Sequence, residues 1–225
     1  AFQHGLVVDQ TLAVIKALLP DIEAELLHEI RRDIESGLPP LRPEIVPGFV
    51  ANVLTGRIAN RLDLMGPNYI VDAACSASFI SLDAAMNELQ SGRSDVMLAG
   101  GVNCSMPPQM MMVFSIIEAL TRTNVRPFDK DANGVILGEG MGGFVLKRLA
   151  DAERDGDRIY AVIKGLSLAS DGKSKGLLAP RFEGEVLAME RTYEECGIDR
   201  DTISLIEAHG TGIPLGDGTE VKSLK

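Results

Sequence analysis

The segment 69–78, Tyr-Ile-Val-Asp-Ala-Ala-Cys-Ser-Ala-Ser, places a cysteine between a short apolar run and a stretch with helical periodicity. A cysteine at a helix N-terminus lies near unpaired backbone N–H groups and the positive end of the helix dipole, which favour the thiolate. Small neighbours leave room for a substrate carbonyl, and the N–H of Cys75 can help to hold an oxyanion. We therefore predict that Cys75 is a nucleophile; packing as a small apolar side chain is the alternative. Cys104 and Cys196 lack this setting and are expected to be structural.

A second candidate is His209, which follows the apolar run 203–206 and begins a glycine-rich loop. The two glycines after it leave room for a ligand beside the imidazole, which donates or accepts a hydrogen bond near neutral pH. The loop lacks the lysine and the glycine spacing of nucleotide-binding loops. We predict that the fold brings His209 and Cys75 together as catalytic partners; a structural role for His209 is the alternative, and it is the one expected for His4 and His28.

A third segment has the spacing of a calcium loop at its start. Asp129, Asp131, Asn133 and Gly134 follow the pattern D-x-D-x-N-G, but the twelfth position is Gly140 and not the glutamate that binds calcium through both oxygens. The spacing therefore does not predict a calcium site.

Short apolar runs alternate with helical periods along most of the chain, which predicts an α/β fold. Strands are predicted at 69–71, 96–99, 143–146, 159–163 and 203–206. One helix is predicted from Phe79 to Leu89, and another from Val186 to a stop at Gly197. Nearer the start, apolar residues recur every fourth position between Asp21, a predicted cap, and Gly37, a predicted stop, ahead of an extended proline-rich connector at 38–43.

Composition excludes several classes of protein. The chain has 225 residues, a formal charge of −10, 45% hydrophobic residues and no tryptophan. It lacks the basic surface and aromatic platforms that nucleic-acid binding needs, and its apolar runs are too short to span a bilayer. Three widely spaced cysteines argue against a disulfide framework or a metal site, so a reducing, cytoplasmic setting is expected.

Taken in order, three motifs resemble the β-ketoacyl synthase family, the condensing enzymes of fatty-acid and polyketide synthesis. They are Val-Asp-Ala-Ala-Cys75-Ser-Ala-Ser, Arg126-Pro-Phe-Asp-x4-Gly-x3-Gly-Glu-Gly, and Glu-Ala-His209-Gly-Thr-Gly-x-Pro-Leu-Gly-Asp. The resemblance runs from about Pro47 to Lys225. The chain is similar to the type I iterative ketosynthases of polyketide, polyunsaturated-fatty-acid and enediyne synthases in segments 54–64, 66–69, 170–173, 179–181 and 183–184.

The resemblance implies a thiolase-like layered fold, with helices between and around mixed sheets, and a division of labour among five residues. Cys75 would carry the acyl chain as a thioester, and His209 would assist decarboxylation of the extender and stabilise the enolate. Thr211 would line the phosphopantetheine channel, while Asp217 and Glu220 would hold the shape of the site. Two catalytic residues, one substrate-binding residue and two supporting residues are thus expected.

Two departures from the family pattern have consequences for binding and domain extent. Ile213 stands where a second threonine is usual, so extender binding is expected to differ. The family's second histidine, its Lys-Ser-x-x-Gly-His segment and its oxyanion phenylalanine belong beyond Lys225, and the chain does not begin with Met. We therefore expect residues 1–225 to be one incomplete ketosynthase domain, with 1–150 forming the half that carries the nucleophile and 151–225 starting the second half.

The implied partners are an acyl carrier protein, which supplies the phosphopantetheine, the acyl and malonyl thioesters, and a second copy of the chain in a homodimer. No bound cofactor, metal, nucleic acid or membrane is expected. Lys173, Lys175 and Arg181 form a candidate docking patch for the acidic carrier, with a solvated loop as the alternative. Two other functions stay open, namely a thiolase acting on coenzyme A thioesters and a non-catalytic partner resembling chain-length factors.

Overall fold

The computed structural model describes residues 2–38, 48, 50–104, 106–174, 176 and 178–225. The chain divides into two compact units, Ala1–Ile70 and Val71–Lys225. Within the described ranges, the first unit is helical and the second combines helices with one two-stranded sheet. No helix in these ranges has both the length and the apolar character needed to cross a membrane.

The first unit contains three helices, α1 (Phe2–Leu18), α2 (Ala24–Ser36) and α3 (Asn52–Leu62). α1 lies against α2 and buries Val8 and Leu12. An ion pair between Arg31 of α2 and Asp9 of α1 joins the same two helices. This pair of helices therefore combines a small apolar contact with one charged link.

The helix predicted from the four-residue apolar repeat is confirmed as α2. The C-terminal end of α2 lies at the predicted stop, Gly37. The N–H of Gly37 donates to the carbonyl oxygens of Asp33 and Ile34, at 3.3 and 3.2 Å. The predicted cap at Asp21 is wrong, because Glu23 occupies the N-cap position and makes no side-chain capping bond. The helix therefore begins three residues later than the predicted cap, with Glu23 in an extended conformation.

The second unit contains five helices and two strands within the described ranges. In chain order they are α4 (Ala77–Gln90), β1 (Val96–Asn103), α5 (Pro108–Ile116), β2 (Gly140–Lys147), α6 (Leu149–Asp155), α7 (Phe182–Cys196) and α8 (Pro214–Ser223). The predicted helices over 79–89 and 186–196 are confirmed as α4 and α7. α7 ends as predicted at Gly197, which adopts a φ of 61° that glycine accepts readily.

The two strands pair antiparallel, with Val96 opposite Lys147 and Asn103 opposite Gly140. Both were predicted from shorter apolar runs, and each extends to eight residues. α4 packs against β1 and buries Leu82, Ala85 and Leu89. The core of this unit therefore lies between α4 and the sheet.

Two consecutive glycines let α4 and β2 approach β1 closely. A Cβ on Gly100 would lie 2.2 Å from the carbonyl oxygen of Gly142, and one on Gly101 would lie 3.0 Å from the Cβ of Ser78. The hydroxyl of Ser81 also donates to the carbonyl oxygen of Gly100 at 2.9 Å. These contacts fix the N-terminal half of α4 on the sheet.

Three predicted strands, at 69–71, 159–163 and 203–206, are wrong for this structure, because no strand is formed there. Their apolar side chains are exposed instead, as Tyr160 and Leu205 show, each more than four-fifths accessible. A strand exists only with a neighbour that completes its backbone hydrogen bonds. Residue type marks a segment as suited to a sheet, but it does not show whether a partner strand lies beside it.

The C-terminal end of α4 is tied to the end of β2 by Arg148. Its Nη1 donates to the carbonyl oxygens of Leu89 and Ser94, at 2.7 and 2.8 Å, and its Nη2 donates to Asp95 at 2.6 Å. Hydrogen bonds from Asp95 and then Asp151 raise the pKa of Arg148 above its ordinary value. One guanidinium thus bonds to the Leu89 carbonyl at the end of α4, which also accepts the N–H of Gly92 at 3.1 Å.

A neighbouring group of charges predicts how stability changes with pH. Arg154 and then Lys147, which contact Asp155 at 2.8 and 2.5 Å, lower the pKa of Asp155 from 3.8 to about 2. Because the folded pKa lies below the unfolded one, the stabilisation is present above about pH 4 and is lost as the pH falls toward 2. We expect Asp155→Asn to lower stability slightly at pH 7, since the group is exposed, and to make no difference near pH 2.

Urea unfolding of both proteins at several pH values between 7 and 2 measures this difference. Asp201→Asn is the control, because the Asp201 carboxylate pairs with no side chain in the described part of the chain. A gap between wild type and Asp155→Asn that widens as the pH falls would contradict the assignment.

Candidate active site

Cys75 lies in a single 3-10 turn, Ala74–Ser76, that leads directly into α4. The turn begins with Ala74 at a φ of 48°, in the left-handed region that non-glycine residues rarely occupy. The carboxylate of Asp72 accepts the N–H of Ala74 at 3.0 Å, and the carbonyl of Ala73 accepts the N–H of Ser76 at the same distance. These bonds hold the strained turn and leave Cys75 exposed at its centre.

The other two cysteines lie in different surroundings. Cys104 is exposed one residue beyond the end of β1, and Cys196 is half-buried at the end of α7. A Cβ on Gly165 would lie 2.8 Å from the Cβ of Cys196, so Cys196 packs tightly against this backbone. Of the three thiols, only that of Cys75 immediately precedes a helix.

The loop that begins at His209 is held from one side by Glu220 of α8. One carboxylate oxygen of Glu220 accepts the backbone N–H of His209 at 2.6 Å, and the other accepts that of Gly210 at 2.9 Å. The imidazole is exposed, and its ring makes no hydrogen bond within the described residues. The backbone of His209 is therefore fixed while its side chain is free to meet a ligand.

Asp217 of α8 also binds this loop, and it is only 5% exposed. Its Oδ1 accepts the N–H of Gly212 at 3.0 Å and the hydroxyl of Thr211 at 3.5 Å. The Thr211 hydroxyl also accepts the N–H of Ile213 at 3.2 Å, so it takes part in the loop's own hydrogen bonding. The second oxygen of Asp217 accepts the backbone N–H of Phe128 at 2.7 Å.

α8 is in turn fixed on α7. The hydroxyl of Ser223 donates to Glu185 of α7 at 2.6 Å, and the two helices pack against each other. The carboxylates of Asp217 and Glu220 thus project from a helix that is itself anchored.

The structure brings four of the five predicted site residues together, namely His209, Thr211, Asp217 and Glu220. Within the described residues, no hydrogen bond joins this group to the turn that carries Cys75. Phe128 was not assigned a role from the sequence, although its motif was recognised. Its backbone has a φ of 61°. A phenylalanine in the sequence does not indicate a positive φ, so this feature could not be predicted.

One residue of the predicted docking patch, Arg181, makes its hydrogen bonds within the chain. Its Nη1 donates to the carbonyl oxygens of Asp171 and Lys173, at 3.0 and 3.3 Å, and its Nε pairs with Glu183 at 3.0 Å. Arg181 therefore closes the loop before α7, and Lys173 stays exposed. Lys175 lies outside the described residues.

Among the residues that the structure describes, no group of three His, Cys, Asp or Glu side chains could hold a metal ion. In the calcium-like segment, the Asp129 carboxylate accepts the N–H of Asp131, Arg126 lies 3.8 Å from Asp131, and Asn133 bonds to Thr121. The segment uses its polar side chains to form its own turn.

Comparison with known proteins identifies the family. Residues 31–152 match the family model described as "Beta-ketoacyl synthase, N-terminal domain", and residues 160–225 match the one described as "Beta-ketoacyl synthase, C-terminal domain". The first match alone covers more than half of the chain. The chain therefore belongs to the β-ketoacyl synthase family.

Similar proteins include synthases that are much longer than this chain. A polyunsaturated fatty acid synthase of Thraustochytrium sp. is 38% identical over 221 residues, which are 98% of this chain and 8% of that protein. The 6-methylsalicylic acid synthase of Penicillium terrestre is 40% identical over 172 residues, which are 76% of this chain and 10% of that protein. The predicted resemblance to polyketide and polyunsaturated-fatty-acid ketosynthases is confirmed.

A solved structure confirms the fold. The ketosynthase from module 6 of the bacillaene synthase of Bacillus subtilis 168 matches with a TM-score of 0.75 and 37% identity, over 77% of this chain and 31% of that one. The predicted α/β, thiolase-like fold is therefore correct, although the described residues form one sheet of two strands. The chain spans about a third of that ketosynthase and a tenth or less of the curated relatives.

Proposed function

We propose that the protein carrying this chain is a ketosynthase that performs decarboxylative Claisen condensation between an acyl thioester and a malonyl group on an acyl carrier protein. The observation that carries the proposal is the exposed Cys75 in a strained turn at the start of α4. A nucleophile needs access for its substrate and positive potential near its sulfur, and this position offers both.

In the first step, the thiolate of Cys75 attacks the carbonyl carbon of the acyl thioester. A bond forms between Sγ and that carbon, and the bond to the donor's sulfur breaks, so the donor leaves as a thiol after taking up a proton. The backbone N–H of Cys75 lies beside the new oxyanion and contributes to its stabilisation. The product of this step is an acyl group held as a thioester on Cys75.

In the second step, the bond between the malonyl methylene carbon and its free carboxylate breaks and releases CO2. The electron pair stays on the thioester as an enolate, which attacks the acyl carbon on Cys75 and expels the Cys75 thiolate. His209 donates a hydrogen bond to the enolate oxygen as negative charge develops there. The free imidazole of His209, on a loop whose backbone is fixed, supports this role.

The supporting residues take the roles that the family resemblance implies. Asp217 and Glu220 keep the His209 loop in shape through their bonds to its backbone. Thr211 lines the channel of the phosphopantetheine arm, which the carrier protein supplies. Ile213, two residues further on, alters extender binding.

The half of the ketosynthase domain that carries the nucleophile covers residues 1–150, and residues 151–225 begin the second half. The protein acts in the cytoplasm as a homodimer.

The experiment that tests this function offers the full-length protein two forms of each substrate. Acyl and malonyl groups are supplied either on acyl carrier protein or on coenzyme A, and β-ketoacyl product is quantified. We expect rapid product formation from the carrier-bound pair. Product formed faster from two molecules of acetyl coenzyme A, without any malonyl donor, would contradict the proposal and indicate a thiolase.

A further inference from the structure

Phe128 occupies an unusual backbone conformation beside the His209 loop. Its φ of 61° lies in the left-handed region, where a bulky side chain is unfavourable. Its backbone N–H donates to the buried carboxylate of Asp217 at 2.7 Å. A strained conformation persists only where the surroundings impose it, and such positions cluster at functional sites.

The ring of Phe128 lies directly against the residue that follows His209. A Cβ placed on Gly210 would be 3.1 Å from Cε2 of Phe128 and 3.3 Å from Cβ of Pro127. Those distances are tighter than ordinary van der Waals contact, so with the ring in place position 210 accepts a residue without a Cβ more readily than any other. Gly210 itself has a φ of 51° and no side chain that could fill this space.

A second contact joins the same two segments. The N–H of Gly134 donates to the carbonyl of Gly212 at 2.9 Å, and a Cβ on Gly212 would lie 2.8 Å from the carbonyl oxygen of Gly134. Asp217 completes the arrangement, because one carboxylate binds the backbone of both Phe128 and Gly212. Segment 126–134 therefore contacts the loop at Gly210 and Gly212.

We propose that Phe128 is a positioning residue for His209, acting through its ring on Gly210. This proposal rests on the proposed function. Glu220 fixes the N–H groups of His209 and Gly210, and the Phe128 ring lies next to Gly210. Stabilisation of a developing charge depends steeply on the position of the donor, so a small displacement of the imidazole slows decarboxylation. Acylation of Cys75 does not require that placement.

The test separates the two half-reactions in the full-length protein. Phe128→Gly removes the ring and accepts the positive φ without strain, whereas Phe128→Tyr keeps the ring. Acylation of Cys75 by an acyl thioester is followed by intact-protein mass spectrometry, and decarboxylation of malonyl carrier protein by CO2 release. Phe182→Ala is the control, since Phe182 has the same exposure as Phe128, 45% against 46%, and lies at the start of α7.

We expect Phe128→Gly to lower kcat for decarboxylation by roughly 10- to 100-fold, as misplacement of a catalytic group does, and to change KM and the acylation rate by less than about twofold. Phe128→Tyr should restore decarboxylation, and Phe182→Ala should leave the ratio of the two rates unchanged. Gly210→Ala, which places a methyl group against the ring at a φ of 51° that alanine disfavours, should displace the His209 loop and reproduce the selective loss even if Phe128→Gly folds poorly.

Two results would overturn the proposal: equal slowing of both half-reactions in Phe128→Gly and Gly210→Ala, or no effect on either. A wild-type protein that neither acylates nor decarboxylates would instead overturn the proposed function, and the role of Phe128 with it.

Discussion

Replacing Cys75 by alanine is expected to abolish covalent acylation of the protein and, with it, all condensation. The expectation follows from the position of the thiol, which is exposed in the Ala74–Ser76 turn at the start of α4. Without Sγ there is no atom at this position that can form a thioester, so the loss is complete and not graded. Intact-protein mass spectrometry after incubation with an acyl thioester should show one adduct in wild type and none in Cys75→Ala.

The other two thiols supply matched controls for this prediction. Cys104 is exposed, like Cys75, but does not precede a helix, and Cys196 is packed against Gly165 at the end of α7. Cys104→Ala and Cys196→Ala should each acquire the same single adduct as wild type. An adduct that persists in Cys75→Ala and maps to either of these cysteines would refute the assignment of the nucleophile.

Replacing His209 by alanine is expected to slow decarboxylation of malonyl carrier protein by on the order of 10²-fold or more, the usual scale for losing a proton or charge partner. Self-acylation of Cys75 should continue, because the start of α4 lies on a different segment and its turn is held by Asp72. The two rates, measured as CO2 release and adduct formation, separate the role of His209 from that of Cys75.

The control for this variant is His28→Ala, which removes an imidazole from α2 in the first unit. It should leave both rates unchanged. A His209→Ala protein that decarboxylates at the wild-type rate, or that loses acylation and decarboxylation together, would exclude the assigned role.

Local signals in the sequence were sufficient to predict the helix after Cys75, α7 and both strands of the sheet. Helical periodicity and a stop at Gly197 depend on neighbours a few residues apart, and the structure retains them. The same reasoning did not predict α1. There, Leu6, Val7 and Val8 are consecutive, and of these three only Val8 is buried, so the apolar residues of α1 are not confined to one face of the helix.

Features that depend on distant residues could not be obtained in this way. The hydrogen bond between Phe128 and Asp217 joins positions 89 residues apart, and nothing in either residue type indicates it. Positive φ at Ala74 and Phe128 is imposed by surrounding contacts and not by composition. The bonds of Arg181 to backbone carbonyls likewise depend on how its loop closes. Arg181 was predicted to take part in docking, but its guanidinium forms hydrogen bonds within the chain.

The most direct test of the central claim, that carbon–carbon bond formation is driven by decarboxylation, is a carbon balance. The full-length protein is given acyl carrier protein loaded with an acyl group and malonyl carrier protein labelled with 13C in its free carboxylate. Labelled CO2 and β-ketoacyl product are quantified in the same reaction. We expect one labelled CO2 for each β-ketoacyl product formed in wild type, and no β-ketoacyl product in Cys75→Ala. β-Ketoacyl product without labelled CO2, or retention of the label in that product, would contradict it.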